Sequence, residues 1–221
     1  MILKHRMRNL FLVCECKRVN PAMSNWVFSK SAAPQFGRFA NTSYYEVIFQ
    51  AKSGEILSDV RDLEPSERIY HVAVEVPSHQ KGDPFGSKGR GDIEDACGQI
   101  CRGMNGFANF FASHPQFLQA QPSLGLLPVI FTTATIWKSE ADIGAGDLLT
   151  GNLDLQDEHL DEIPWLFYHY NQSPGLKHSL RAPADAKSIK DAQHQEFTRP
   201  IAIVSAKGID AFLTSPIWSW P

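Results

Sequence analysis

The segment Leu126–Trp137 limits the possible architecture of this 221-residue chain more than any other segment. It reads LLPVIFTTATIW and shows no regular alternation of apolar and polar residues. Successive side chains of a strand point to opposite faces, so a strand with only one buried face would alternate. The segment therefore predicts a central strand that is covered on both faces, as in an α/β protein.

Three further segments are typical of strands. Leu10–Asn20 opens with an apolar run and ends in a turn at Asn20-Pro21, Ile69–Val76 is rich in β-branched residues, and Pro200–Ser205 precedes a short helix over Ile209–Leu213. Tyr44–Ala51 is apolar enough for either a helix or a strand. Segment 20–39 reads as an irregular or short-helical connection and 52–68 as polar and turn-rich. The acidic run 154–162 reads as a solvated helix face or loop, and 164–196 carries no clear pattern.

The strongest helix signal begins at Asp92. Apolar residues recur from Ile93 to Phe111 at steps of three and four, which is the period of an amphipathic helix. Asp92 is a candidate N-cap. Strands separated by a crossover helix predict an α/β fold with a mixed, open β-sheet flanked by helices. We expect a single domain over 1–221, with a core over 10–135 and 200–213 and an elaborated connection over 138–198.

Composition excludes several classes of protein. A formal net charge of −3 provides no global basic field for coating nucleic acid, although it permits a local phosphate-binding patch. The four cysteines do not form a secreted disulfide framework, the N-terminus does not resemble a signal peptide, and no apolar run is long enough to span a membrane. We expect a cytoplasmic protein.

The end of the first strand carries the most suggestive polar residues. Glu15 and Lys17 are two residues apart, so in a strand they share one face, with Cys14 and Cys16 on the other. A carboxylate beside an ammonium group is suited to binding a metal ion and a phosphate. An ion pair at a strand end is the simpler interpretation of the same two residues.

Other candidate ligand contacts lie further along the chain. The glycine-rich segment 82–91 carries Lys88 and Arg90, which indicates either a mobile surface loop or a flap that contacts phosphates. Gln99 lies off the apolar stripe of the predicted helix and could face a ligand. Cys14, Cys16, Cys97 and Cys101 could together form a four-thiolate metal site, but Cys97 and Cys101 lie on the apolar stripe, where a free cysteine behaves as a small hydrophobic residue.

Glu15-Cys16-Lys17 at the end of an apolar strand resembles the Glu-x-Lys half of the PD-(D/E)XK nuclease signature. The order of the following elements, from the turn at Asn20-Pro21 through the helix to the strand over Pro128–Thr133, resembles that of restriction-endonuclease-like folds. This resemblance implies a Mg²⁺-dependent phosphodiester hydrolase that acts on DNA. Glu15 and the main-chain oxygen of Cys16 would be metal ligands, and Lys17 would orient water and offset charge in the transition state.

The chain departs from the nuclease pattern at its beginning. The second acidic ligand of the family lies on a strand upstream of Glu-x-Lys, and residues 1–14 contain no Asp or Glu. Three interpretations follow: an N-terminally incomplete domain, an inactive half-site, or an accidental match. The principal alternative function is a non-catalytic domain of the same fold that binds nucleic acid or a protein.

Overall fold

In the computed structural model of the protein, the described residues are 1–4, 9–21, 24–31, 42–63, 68–76, 91–119, 123–143, 160–177, 180 and 198–218. Within them the chain is mixed α/β, as predicted. The strands are β1 Ile2–Lys4, β2 Leu10–Lys17, β3 Asn25–Ser31, β4 Tyr44–Gln50, β5 Ile56–Asp62, β6 Ile69–Tyr70, β7 Val72–Val76, β8 Ser123–Thr132, β9 Thr135–Ile143, β10 Leu160–Glu162, β11 Trp165–Asn171 and β12 Thr198–Ser205. The helices are α1 Asp92–Ser113, α2 Gln116–Gln119 and α3 Ile209–Leu213.

The larger sheet is built around β8. Its main path runs β1-β2-β8-β12-β11-β6. β8 is parallel to both β2 and β12, whereas β1 pairs with β2 and β11 with β12 in antiparallel fashion. A strand between two parallel neighbours must be covered on both faces. The apolar character of β8 follows from this position, because residues 124–130 are all buried.

β8 exchanges one neighbour for another at Pro128. On one edge it pairs with β2 along the whole of that strand, from Leu10 opposite Gly125 to Lys17 opposite Thr132. On the other edge β4 pairs with it as far as Leu126, and pairing with β12 begins only at Val129. Proline has no N–H to donate to a ladder and is normally excluded from central strands. On the edge shared by β4 and β12, Pro128 lies in the interval between the two ladders, where no hydrogen bond from its nitrogen is required.

The second sheet, in the order β10-β9-β3-β7, continues the first around a bend. The parallel pair β2 and β8 ends where Lys17 lies opposite Thr132, and its continuation β3 and β9 begins where Asn25 lies opposite Thr135. The Thr133 hydroxyl at the bend accepts a hydrogen bond from the Val19 amide at 3.2 Å. Strands that pass from one sheet to another form the corners of such packings. The single strand predicted over Leu126–Trp137 is therefore two strands.

Helix α1 packs where the two sheets meet. Its predicted apolar stripe is buried, apart from Phe107, which is half-buried. The stripe packs on one face of the larger sheet and on the second sheet, against side chains that include Val13, Ile130, Ile203, Trp26 and Ile136. The opposite face of the larger sheet, with Leu12, Cys14, Val129 and Val204, is covered by residues after β12, including Phe212 and Ile217.

Several local predictions were wrong. Segment 20–39 contains strand β3, and the polar segment 52–68 contains β5, which pairs with β4 across a turn at Gly54. Gly54 has a φ of 89°, a backbone conformation that favours glycine. β10 lies at the end of the acidic run read as a helix face or loop, and β11 occupies part of the unassigned region 164–196. Both were missed because neither shows a period-2 pattern.

No helix in the described ranges is long and apolar enough to cross a membrane.

Candidate functional site

The structure places Glu15 and Lys17 on the face of β2 that is directed toward α1. Val13 lies two residues before Glu15 and therefore on the same face of β2, and it packs into the core beneath α1. Cys14 packs into the core on the opposite face. Successive same-face residues of a strand are about 7 Å apart. Glu15 and Lys17 therefore share one face of β2, as strand alternation predicts.

Lys17 forms an ion pair with the first residue of α1. Its Nζ lies 3.0 Å from Asp92 Oδ1, with 18% and 26% of the two side chains exposed. The Asp92 Oδ2 atom also accepts a hydrogen bond from the Asn20 amide at 3.4 Å. The end of β2, the turn that follows it and the start of α1 therefore converge on one carboxylate.

Glu75 of β7 caps α1. Its Oε1 atom accepts a hydrogen bond from the Ile93 amide at 2.7 Å, and the Asp92 amide is a second donor to the same carboxylate. The helix begins at Asp92, its N-cap position is Gly91, and Gly91 makes no side-chain capping bond. The prediction that Asp92 itself is the N-cap was wrong. A carboxylate from another strand satisfies the first amides of the helix and interacts favourably with the positive end of its dipole.

The end of β2 thus carries a charged cluster, which consists of one ammonium group, from Lys17, and two carboxylates, from Asp92 and Glu75. Burial is the main cause that raises the pKa of Glu75, and the charge of Asp92 raises it further. The amide of Ile93 and the ammonium group of Lys17 act in the opposite direction without reversing the shift. A carboxyl group with a raised pKa beside a second carboxylate is a place where added positive charge is favourable.

Substitution of Glu75 by Gln tests this electrostatic description. A carboxyl whose pKa is raised on folding contributes stability below its unfolded pKa, and that contribution is lost as the pH rises through its folded pKa. Gln keeps an acceptor for the Ile93 amide but carries no charge. Starting at the ordinary glutamate pKa of 4.5, we therefore expect the unfolding free energy of Glu75→Gln to increase relative to wild type as the pH rises, and the difference to level off above the folded pKa.

Urea denaturation at a series of pH values measures this difference. Asp210→Asn provides a control at an exposed carboxylate of α3. A difference between wild type and Glu75→Gln that does not change with pH would contradict a raised pKa at Glu75.

A groove lies between β2 and α1. Glu15 and Gln99 both line it, so the structure brings these two predicted site residues together. The groove has a volume of about 510 Å³, and its remaining lining is largely apolar, from Met1, Ile2, Val13, Ile100, Phe107 and Phe110 among others. Gly103 and Gly106 form part of its helical wall, and a Cβ atom at Gly106 would meet nothing within 4 Å. Missing side chains on α1 therefore help to open the groove.

The far end of the groove is aromatic. Phe110 stacks on His114 with ring centroids 4.5 Å apart and an interplanar angle of 24°, and it also contacts Phe117 at 5.6 Å. Phe110 and Phe117 are 44% and 53% exposed. Phe107 also lines the groove, and its ring centroid lies 6.1 Å from that of Phe11 on β2. The groove thus leads from Glu15 and Gln99 to exposed aromatic rings on α1.

The remaining predicted ligands have different outcomes. Lys88 and Arg90 lie outside the described residues. Cys16 is exposed at the end of β2, and its proposed main-chain metal contact stays a prediction. Among the described residues, no group of three or more His, Cys, Asp or Glu side chains is arranged to hold a metal ion.

The structure separates the cysteines of the four-thiolate alternative. Cys14 packs on one face of the larger sheet. Cys97 and Cys101 lie on the buried side of α1, which packs against the opposite face. Burial raises the pKa of the Cys14 thiol to about 11 and raises the pKa of Cys97 and of Cys101 as well. These thiols are therefore protonated at neutral pH, whereas metal ligation requires the thiolate.

The sequence offers Glu75 and Asp92 as possible acidic partners of Glu15, but no local pattern assigns Glu75 to the site. Its signal was a single carboxylate inside the apolar strand signal Ile69–Val76, where a buried charge requires a partner. The partner is the start of α1, some twenty residues later in the chain, and only the fold brings the two together.

No protein family matches this chain, and no characterised protein or solved structure is significantly similar to it. The nuclease resemblance therefore rests on the residues of the chain themselves and stays a prediction.

Proposed function

We propose that the protein is a restriction-endonuclease-like domain that hydrolyses phosphodiester bonds in DNA with the help of Mg²⁺. The observation that carries this proposal is the convergence of Lys17, Asp92 and Glu75 at the end of the strand that also presents Glu15. An ammonium group beside carboxylates is the combination needed to hold a hydrated divalent cation and to stabilise the charge that develops on a phosphate.

The donor set fits Mg²⁺ in its chemistry. The ion prefers oxygen ligands and retains several waters, so a few carboxylates are sufficient. Burial is the main cause of the raised pKa of Glu75 and the nearby charge of Asp92 adds to it, so a cation bound beside them would favour the ionised form of Glu75. We assign Glu15 and the main-chain oxygen of Cys16 as ligands, and Asp92 and Glu75 as carboxylates that add negative charge near the ion at the end of β2.

In this mechanism Lys17 has two tasks. Its ammonium group orients the attacking water and offsets negative charge on the phosphorus-bound oxygens in the transition state. Asp92, which holds the ammonium group at 3.0 Å, fixes its position at the end of β2. The bound ion would supply a Lewis acid and an acidified water. Glu75 fixes the position of Asp92, because it caps the first turn of the helix that begins there.

Plasmid nicking tests the proposal. With Mg²⁺ present we expect wild type to nick supercoiled plasmid and EDTA to abolish the activity. Lys17→Met should lower the rate about a hundredfold, which is the usual effect of removing one transition-state charge contact. Lys138→Met is the matched control, because Lys138 forms an ion pair of equal length, 3.0 Å, with Asp161 in the second sheet. Unchanged nicking by a Glu15→Ala/Lys17→Ala protein would overturn the assigned site.

One observation favours the alternative of a non-catalytic binding domain. The Lys17 ammonium group is already in contact with Asp92, which is what a purely structural ion pair would show. In that case wild type would bind DNA or a protein partner without Mg²⁺-dependent nicking, and Lys17→Met would change stability alone.

A further inference from the structure

We propose that the groove along α1 binds one unpaired nucleobase, so that the substrate of the site is a single-stranded nucleic acid segment. This inference rests on the proposed function, because it states which kind of nucleic acid strand would bring a phosphate to Lys17. Its geometric basis is that Glu15 lines the groove, while Lys17 lies two residues further along the same face of β2.

The size and lining of the groove suit a base. A volume of about 510 Å³ falls within the range of about 300–1,000 Å³ that is typical of small-ligand sites. Phe110 remains 44% exposed although His114 stacks on it, so part of its ring is open to a base. Aromatic side chains bind unpaired bases by stacking, largely without regard to sequence.

Polar contacts at the other end of the groove suit the edge of a base. The exposed Gln99 side chain carries both donors and an acceptor, and Glu15 offers acceptors only. In the metal-free protein a neutral base can use both side chains, because Glu15 is then not engaged with an ion. The phosphates are expected at the rim, where the Lys4 ammonium group lies 5.6 Å from the centroid of the Phe11 ring, next to Phe107.

Binding without cleavage tests this inference. In EDTA, fluorescence anisotropy compares a labelled single-stranded thymidine oligonucleotide with an abasic oligonucleotide of equal length. We expect the thymidine strand to bind more tightly and Phe110→Ala to weaken its binding at least about fivefold. Leu213→Ala is the matched control, because Leu213 is a large apolar residue of similar exposure, 48%, on α3.

A second variant fills the groove. Gly106→Leu adds a side chain where a Cβ atom meets nothing within 4 Å, so the fold should tolerate it while the base is excluded. Equal binding of the abasic and thymidine strands, no binding of either strand, or equal affinity of Gly106→Leu and wild type would each overturn the inference. Base-dependent binding without plasmid nicking would support the groove and refute the nuclease. If the protein nicks plasmid but binds the abasic and thymidine strands equally, the nuclease is supported and the base-binding groove is refuted.

Discussion

Replacement of Arg199 by Met is expected to destabilise the protein by about 3–5 kcal/mol, because it leaves a carboxylate buried without its cationic partner. Arg199 is only 2% exposed, and its Nη2 lies 3.5 Å from Oε2 of Glu46, which is 4% exposed. An isolated charge in such surroundings costs far more than the side-chain volume that Met restores.

The guanidinium group also joins three elements. Nη1 donates to the Cys101 carbonyl oxygen of α1 at 3.1 Å, and Nη2 donates to Asn105 Oδ1 at 3.1 Å. The other carboxylate oxygen of Glu46 on β4, Oε1, accepts a hydrogen bond from the Ser58 hydroxyl of β5 at 2.7 Å. The start of β12 is thereby tied to the middle of α1 and to the β4–β5 hairpin through hydrogen bonds that carry charge.

Urea denaturation of Arg199→Met, with Lys138→Met as the exposed ion-pair control, measures the cost. The control should lose less than about 1 kcal/mol, since exposed pairs contribute little. The double variant Arg199→Met/Glu46→Met should recover most of the loss, because it removes both buried charges. A double variant less stable than Arg199→Met would show that the cost arises from lost packing and not from an unpaired carboxylate.

The elements predicted well from the sequence are those whose pattern is set by burial alone. The helix stripe from Ile93 to Phe111 and the strand that carries Glu15 and Lys17 are examples, because packing against a sheet or a helix imposes a period of 3.6 or 2. The strand predicted over Pro200–Ser205 is present, but the observed strand β12 begins two residues earlier, at Thr198. These two residues, Thr198 and Arg199, are polar, and the burial of Arg199 depends on Glu46, which only the fold brings next to it.

The rest depended on long-range contacts. The polar strand β5 exists because β4 pairs with it, and the bend between β8 and β9 falls at Thr133, where the sequence shows only two consecutive threonines. The candidate site shows the same division. Glu15 and Lys17 follow from strand alternation, whereas their association with Asp92 and Glu75 depends on how α1 and β7 are placed. No local pattern contains that information.

The second prediction with a large effect concerns the face of the larger sheet that is directed away from α1. Phe212 of α3 is fully buried there, and its ring lies 5.5 Å from that of Trp165 on β11 and 5.1 Å from that of Trp218. The Trp218 indole N–H also donates to the Phe212 carbonyl oxygen. Phe212 therefore holds the segment after β12 against a sheet face that would otherwise be exposed to water.

Phe212→Ala is expected to cost about 3–5 kcal/mol, from the lost burial of the ring and from the cavity that it leaves. Its neighbour Leu213→Ala is the matched control, because a side chain 48% exposed on the same short helix loses little when it is truncated. Urea denaturation gives the two free energies, and tryptophan fluorescence of the native state reports the environment of Trp165 and Trp218. Equal losses in the two variants would mean that α3 stabilises the sheet through its backbone contacts and not through the buried ring.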